Sequence, residues 1–308
     1  MLTRNALAME YLQLAFTVVL LLFWVRLWSA PANEFYFNPF LSGTVRLTDV
    51  VFAYLRPVLN LPERGACLIL LFAVFTFKTL LAGRFGFTWT FTIGSTYIFT
   101  SPSVAGVWKP HFLFSALHAV LFLVRLWSVY FIVRLISDRG RNTRATEAFA
   151  YFARPFSRLP LLAQPVMLLA INVALAFLLA RHASLGTASL TGRTAVAVSD
   201  SPFVTGPLIV QTLKTAWLAA LSCADGLALL TRALLFAIIG NFGAAILQAH
   251  GAALICHEAV ELLLGRFARN RAAAAGLDFT PLLFFFVVNV LYSGLCSRLA
   301  AMIESSFF

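Results

Sequence analysis

Residues 112–136 read FLFSALHAVLFLVRLWSVYFIVRLI, an apolar run with few ionisable side chains. A helix needs about 20 apolar residues to cross a bilayer core of roughly 30 Å, so this run predicts a transmembrane span. The whole chain has the same character: of its 308 residues, 61% are hydrophobic and 11% are charged, and the mean hydropathy is +0.88. Soluble domains have about 25% charged residues. The composition therefore predicts a polytopic membrane protein and excludes a soluble globule, a disordered chain and a disulfide scaffold.

The formal net charge is +11, and in a membrane protein such an excess indicates either nucleic-acid binding or the positive-inside rule. Much of the basic charge lies in short connections between apolar stretches, which do not form a duplex-binding surface. We therefore expect the lipid bilayer and its anionic lipids as partners, and no nucleic acid.

The pentapeptide Val-Arg-Leu-Trp-Ser inside this run also occurs at 25–29. Further segments match in the same order and at a similar separation, namely 56–62 with 154–160 and 101–106 with 201–206. A constant separation of about 100 residues indicates an internal repeat. We predict three membrane repeat units: 1–106, 107–206 and 207–308. Because the pentapeptide recurs inside the chain, we expect the first helix to be retained rather than cleaved as a signal peptide.

Each unit is predicted to hold two spans joined by an amphipathic connection. The fold class is thus an all-α polytopic bundle of six transmembrane helices with interfacial amphipathic helices. The predicted spans are 8–28, 66–81, 112–136, 161–180, 227–247 and 281–299. Lys and Arg are more numerous around the amphipathic connections than on the opposite side. The positive-inside rule then places these connections in the cytoplasm and both termini outside.

The amphipathic connections have apolar faces at helical spacing. In the first unit this face consists of Leu47, Val51, Tyr54, Leu55 and Val58, and comparable faces occur within 149–159 and 256–267. Short basic amphipathic helices suit the membrane interface. A helix packed over the ends of the spans is an equal alternative.

The connection after the second span alternates in a different way. Phe87, Trp89, Phe91 and Ile93 are separated by threonines, and this period of two predicts an extended strand. A lone strand in lipid would leave its backbone groups without hydrogen bonds. It must lie in the outer interface, pair with a segment such as 194–198, or pair with another protein.

Several short motifs punctuate the units. They consist of Asn38, Pro39 and Phe40 before the first amphipathic helix, Pro57 and Pro62 after it, Arg154, Pro155 and Pro160 in the second unit, and Gly276, Asp278, Thr280 and Pro281 before the last span. Asn38 and Pro39 predict a turn, and Thr280 followed by Pro281 predicts an N-cap and first helical residue. With these motifs the chain resembles the YggT family of small bacterial inner-membrane proteins.

The resemblance implies a multi-pass protein of a bacterial inner membrane. It implies no defined reaction, since members are associated with osmotic-stress tolerance, with genomic proximity to division genes and, in plastid relatives, with cytochrome assembly and nucleoid organisation.

Ionisable residues inside a bilayer are candidates for function. Arg125 and Arg232 lie deep in predicted spans, whereas Arg26 lies near a span end and can extend to the headgroups. The partner of a deep arginine must be a carbonyl, a lipid phosphate, an acid at a span edge such as Asp225, or another subunit. We predict partner or lipid contacts for these arginines and for three on the amphipathic connections, namely Arg56, Arg154 and Arg266.

No catalytic grouping is evident, so we expect a non-catalytic protein. A cation-coupled transporter needs acids deep in its spans, and the predicted spans contain only Glu10 near one end. We therefore expect a scaffold, assembly or accessory subunit of a larger complex with other membrane proteins. The alternative is a small channel or transporter linked to osmotic or ion homeostasis, since internal repeats are common in transporters.

Two cofactor hypotheses have weaker support. The histidine pairs His111 with His118 and His250 with His257 are spaced in a way that suggests haem. Cys256, His257 and Glu261 are too few for a metal site without a second cluster. We expect no cofactor and no metal.

Overall fold

The structure, a computed structural model, describes residues 2–29, 38–59, 61–94, 97–101, 108–136, 144–189, 192–196, 207–269, 273–274 and 277–307. Its helices are α1 (Leu2–Ser29), α2 (Pro39–Leu59), α3 (Glu63–Phe85), α4 (Trp108–Ile136), α5 (Arg144–Phe152), α6 (Ala163–His182), α7 (Leu208–Ile246), α8 (His250–Leu264) and α9 (Thr280–Phe307). Its strands are β1 (Thr90–Ile93), β2 (Tyr97–Thr100), β3 (Ser184–Ser189), β4 (Gly192–Val196), β5 (Ala273–Ala274) and β6 (Leu277–Asp278).

Six helices of the described residues are long and apolar enough to cross a membrane: α1, α3, α4, α6, α7 and α9. The protein is an all-α polytopic bundle, as the composition predicts. A long helix, an amphipathic helix and a second long helix follow one another three times along the chain. The repeat units themselves remain a prediction.

The alternation of the spans gives the bundle two distinct ends. The amphipathic helices α2, α5 and α8 lie at one end, which we call the amphipathic end, and α5 contacts both of the others there. Strands β1–β4 connect the spans at the opposite end, which we call the sheet end.

One predicted span was misplaced. The prediction began at 227, but α7 begins at Leu208 and is continuous to Ile246. Lys214 and Asp225 interrupt the apolar pattern and hid the first half of this helix. Both side chains are buried in the bundle, so the polar interruption does not break the helix. The correction places Asp225 inside a span.

The extended segment predicted from alternating residues is confirmed over β1. It pairs with β2, and the antiparallel sheet has the order β1-β2-β3-β4, so the segment at β4 belongs to the same sheet without touching β1. Trp89, Phe91 and Ile93 are fully buried, whereas Thr90 and Thr92 are exposed. The apolar face of the strand therefore packs on the helices, and the threonine face does not.

The amphipathic helices use their apolar residues in two ways. In α8, Val260 and Leu263 are buried against Val129 and Leu230 of the spans, as expected of a helix packed over span ends. In α2, the apolar face is different from the predicted one. Its buried residues are Leu41, Val45 and Phe52, while Leu47 and Tyr54 of the predicted face are 63% and 78% exposed. With apolar residues on both sides, α2 suits a position between the bundle and the lipid.

The short motifs mostly mark helix starts. The Asn38 side chain accepts a hydrogen bond from the Phe40 N–H and donates one to the Arg144 carbonyl, at 3.0 and 2.9 Å, so it caps α2 and ties it to α5. Pro39 is the first residue of α2, and Pro62 and Pro160 precede α3 and α6.

The entry into the last span differs slightly from the prediction. Thr280 is already the first residue of α9, Pro281 is the second, and the Asp278 carboxylate accepts a hydrogen bond from the Thr280 N–H at 2.9 Å. The acid therefore contributes to the cap that was assigned to the threonine. Gly276 and the side chains of Arg56 and Pro57 lie outside the described residues.

Candidate functional site

The most unusual feature of the bundle is an ion pair in its interior. Arg125 of α4 donates a hydrogen bond from Nη2 to Oδ2 of Asp225 in α7 at 2.7 Å. The same nitrogen also donates to the carbonyl of Thr92. The side chain of Asp225 is 5% exposed and that of Arg125 is 27% exposed, so the acid is enclosed and the arginine is partly exposed.

Asp225 accepts two more hydrogen bonds at its other oxygen. The Gly94 N–H and the Tyr292 hydroxyl donate to Oδ1 at 2.9 and 2.8 Å. The carboxylate thus joins α4, α7, α9 and the end of β1. We call Arg125, Asp225, Tyr292 and the Thr92–Gly94 backbone the polar cluster.

The polar cluster lies near the middle of the spans. Arg125 is about eleven residues from the last residue of α4, which corresponds to roughly 16 Å along the helix. Tyr292 is about twelve residues, or roughly 18 Å, from the start of α9. Half of a bilayer core is about 15 Å. Both helices therefore place the cluster close to the bilayer midplane.

The β1–β2 hairpin reaches this depth from the sheet end. Trp89, just before β1, contacts His111, Phe91 of β1 contacts His118, and Gly94, just after β1, contacts Asp225. The strand therefore runs down α4 into the bundle. Non-helical backbone at membrane depth occurs only where protein buries it or where it lines a water-filled cavity. The hairpin is therefore a re-entrant segment.

Gly94 has a conformational reason to be at the tip of the strand. Its φ is +63°, a region that residues with a side chain rarely adopt. A Cβ at this position would also lie 3.1 Å from Leu221 of α7. Glycine lets the backbone N–H approach Asp225 closely.

More polar atoms line the path between the sheet end and the polar cluster. Within the described part of the chain, no hydrogen-bond partner is found for His118 Nδ1, Ser115 Oγ, Ser222 Oγ or Arg125 Nε, although all four atoms are buried. Buried polar atoms in native proteins nearly always have a partner, and water or an ion is the usual one where protein supplies none. These atoms extend the polar region along α4 and α7.

The charged groups inside the spans are mostly basic. Within the described spans, and leaving aside an ion pair at the amphipathic end, the buried or half-buried charged residues are Lys78, Arg125, Lys214 and Asp225. Three are basic and one is acidic, so the interior of the bundle favours negative charge.

A second ion pair lies at the amphipathic end. Arg26 donates hydrogen bonds to Asp49 of α2 and Glu63 of α3 at 2.8 and 3.2 Å, and only 6% of its side chain is exposed. Arg26 of α1 therefore has acidic partners within the chain, and the ion pairs tie α1 to α2 and α3. Its contact with lipid or with a partner stays a prediction.

Arg154 also has internal partners. Its Nη1 donates to the Trp28 carbonyl, its own carbonyl accepts from Trp24 Nε1, both at 3.1 Å, and the guanidinium lies 3.6 Å from the centre of the Tyr151 ring. Burial lowers the pKa of Arg154 from its usual value. The residue joins α5 to the end of α1, next to a cis peptide bond to Pro155.

The remaining predicted contacts lie on the surface. Arg232 and Arg266 are exposed, so their contacts with lipid or with a partner stay a prediction. Of the histidines considered for haem, His111 accepts the hydrogen bond of Trp89, and His257 is 3.7 Å from Glu261 on the surface.

Sequence reasoning found Arg125 and considered Asp225, but it missed Tyr292 and Gly94. An acid in the first half of α7 was read as lying at a span edge because the helix start was misplaced. Tyr292 lies in an apolar run where nothing in the sequence distinguishes it from a core aromatic. No family model, no curated protein and no solved structure matches this chain.

Proposed function

We propose that the protein is a small channel or transporter for an inorganic anion, with the polar cluster as its binding site. The observation that carries the proposal is the Arg125–Asp225 ion pair at the tip of a re-entrant hairpin, near the middle of the spans. Transporter sites are commonly built at this depth from non-helical backbone and paired charges. The accessory role expected from the sequence rested on deep arginines without acidic partners, and Arg125 has one.

The chemistry of the cluster suits an anion. Both described hydrogen bonds of the Arg125 guanidinium use Nη2, and its Nε is buried without a partner. Asp225 and the Thr92 carbonyl therefore hold the guanidinium by one nitrogen and leave the Nε–H and the Nη1 hydrogens as donors. These donors carry positive charge and can bind an anion by charge-assisted hydrogen bonds.

A polar route to these donors follows strand β1. Thr88, Thr90 and Thr92 point away from the core and are exposed, and the carbonyl of Thr92 bonds to Arg125. A row of hydroxyl groups can replace part of the hydration shell of an ion, as polar pore linings do. The route leads from the sheet end to the polar cluster.

The test is anion flux in liposomes of zwitterionic lipid, measured for chloride and nitrate. We expect flux with the natural protein and at least a tenfold loss with Arg125→Gln and with Asp225→Asn. Arg125→Lys keeps the positive charge and should retain more flux than Arg125→Gln for both anions. Arg232→Gln removes an exposed arginine of α7 and should leave flux within twofold of the natural level.

Size-exclusion profiles and helical content establish that each variant is folded. The proposal would be contradicted if liposomes with the natural protein showed no more flux of either anion than protein-free liposomes. It would also be contradicted if the Arg125→Gln variant were folded and its flux were undiminished.

A second candidate is the accessory subunit, and one surface favours it. Measured from the contact of Ser128 with Gly226, α7 continues to Ile246 while α4 ends at Ile136, so α7 is longer by about twelve residues, or roughly 18 Å. Exposed apolar side chains cover this extension, namely Phe236, Ile239, Phe242, Ile246 and Leu247. Another membrane protein could bind there.

Purification from native membranes in mild detergent separates the two candidates. A stoichiometric companion that is lost on Phe242→Ser would favour the accessory role. A homogeneous protein without companions would favour the channel or transporter.

The location of the protein is also a proposal. The excess of basic residues near α2, α5 and α8 supports a cytoplasmic position for the amphipathic end, and the resemblance to the YggT family supports a bacterial inner membrane. Labelling of a single introduced cysteine at Arg266, with a membrane-impermeant reagent, tests the orientation: right-side-out vesicles should be unreactive until opened.

A further inference from the structure

A groove between α1, α3 and α4 has a composition unlike the polar cluster. It has a volume of about 440 Å³ and is lined almost entirely by apolar side chains, among them Leu20, Leu71, Phe75, Ala119 and Phe122. This volume lies within the range of small-molecule sites, about 300–1,000 Å³. Its three helices are all spans, so the groove lies at the depth of the lipid acyl chains.

One charged group lies at the end of this groove. Lys78 lines it and is only 3% exposed, and its Nζ lies 5.2 Å from the centre of the Trp89 ring. Among the described residues this ammonium group has no acidic or hydrogen-bonding partner, in contrast to Arg26 and Arg125. A buried charge without a partner is costly, so a counter-charge from outside the chain is expected.

A second polar group points to the same place. Gln13 of α1 lines a small cavity together with Lys78 and Trp89. Its Nε2 is buried and has no hydrogen-bond partner among the described residues. Two donors, one of them charged, thus line one small cavity, and Lys78 lines both this cavity and the apolar groove. A group with several acceptor oxygens and a negative charge satisfies both.

We infer that this groove binds an anionic phospholipid of the bilayer, with its phosphate at Lys78 and one acyl chain along the groove. Leu68 and Lys78 line the groove from end to end on α3, and they are separated by roughly 15 Å of helix. A long apolar slot with a single cation at its end matches a chain with an anionic head. This site is separate from the polar cluster and does not depend on anion flux.

The test is native mass spectrometry of the delipidated full chain, supplied with equal amounts of phosphatidylglycerol and phosphatidylcholine of the same chain length. We expect at least a tenfold preference for one bound phosphatidylglycerol. Lys78→Gln should abolish the preference because the charge is lost. Ala119→Phe keeps the charge but fills the groove, and should abolish binding of both lipids at this site.

Lys109→Gln is the matched control, since Lys109 is an exposed lysine of α4 near the same end of the bundle. It should retain the full preference. Equal binding of the two lipids by the natural protein would overturn the inference, as would a preference that survives Lys78→Gln.

A third arm with palmitate distinguishes the source of the anion. In this arm an equimolar fatty acid competes with phosphatidylglycerol. If the acid displaces the phospholipid, and if the natural protein retains the acid but Lys78→Gln does not, the phospholipid assignment is overturned. If Lys78→Gln does not fold, Ala119→Phe and Lys78→Arg decide: the first should lose the bound lipid and the second should keep it.

Discussion

Replacing Asp225 with asparagine removes the negative charge of the polar cluster and changes its shape very little. The amide oxygen can still accept the hydrogen bonds that Gly94 and Tyr292 donate to Oδ1. The amide nitrogen, however, takes the place of the oxygen that accepts from Arg125 at 2.7 Å. The substitution therefore isolates the interaction between the two charges.

The expected cost follows from burial. Removing one partner of a buried ion pair destabilises a protein by about 3–5 kcal/mol, because the other charge stays without compensation. Since 27% of the Arg125 side chain is exposed, we expect about 3 kcal/mol, the lower end of this range. The free energy of unfolding is measured by reversible titration of mixed micelles with sodium dodecyl sulfate, followed by circular dichroism.

A double-mutant cycle separates the pair from other effects. Arg125→Met together with Asp225→Asn leaves no charge without a partner. We therefore expect the double variant to lose less stability than the sum of the losses of the two single variants, by at least about 1.5 kcal/mol. A coupling energy below about 0.5 kcal/mol would refute the reasoning, because contacts of this length do not behave additively. Arg232→Met, on the surface of α7, should change stability by no more than about 0.5 kcal/mol.

Two further predictions use the same titration. A Cβ at Gly226 would lie 2.6 Å from the Cβ of Ser128, so Gly226→Val forces α4 and α7 apart and should lower the free energy of unfolding by at least about 2 kcal/mol. The control is Gly243→Val, because a Cβ at Gly243 meets no atom within 4 Å. Equal losses for the two variants would contradict this packing. Arg26→Met removes the hydrogen bonds to two carboxylates at the amphipathic end and should cost about 1.5–3 kcal/mol, while the exposed Arg46 of α2 should tolerate methionine without loss; an unchanged Arg26→Met would show that this ion pair does not hold α2.

The sequence predicted the elements that depend on local pattern. Apolar runs of sufficient length fixed the membrane spans, since a backbone in hydrocarbon must satisfy its own hydrogen bonds. The alternation of threonine with Phe91 and Ile93 predicted β1, because successive side chains of a strand point to opposite faces. Prolines also mark helix starts, since α2 begins at Pro39 and α3 begins directly after Pro62, where the missing N–H and the fixed φ of proline are tolerated.

The polar cluster could be predicted only in part. Arg125 stands out because a charge in an apolar run is rare, and Asp225 was considered as one of several partners. The partner of Arg125 depends on the lateral arrangement of α4 and α7. The sequence does not fix the distance between two helices whose residues are about 100 positions apart. The same limit applies to Arg26, whose position near a span end suits lipid headgroups and internal acids equally well.

By itself the sequence determined that this chain crosses a membrane, where most spans lie and which residues are too polar to face lipid without compensation. The tertiary structure decided how that compensation is made. Arg26 pairs with two acids at the amphipathic end, and Arg125 pairs with Asp225 at the midplane. The β1–β2 hairpin enters the bundle and contacts the Arg125–Asp225 pair. The physical reason is that a span is specified by hydrophobicity, which is a local property of the chain. An ion pair is specified by distance, which only the packing of helices fixes.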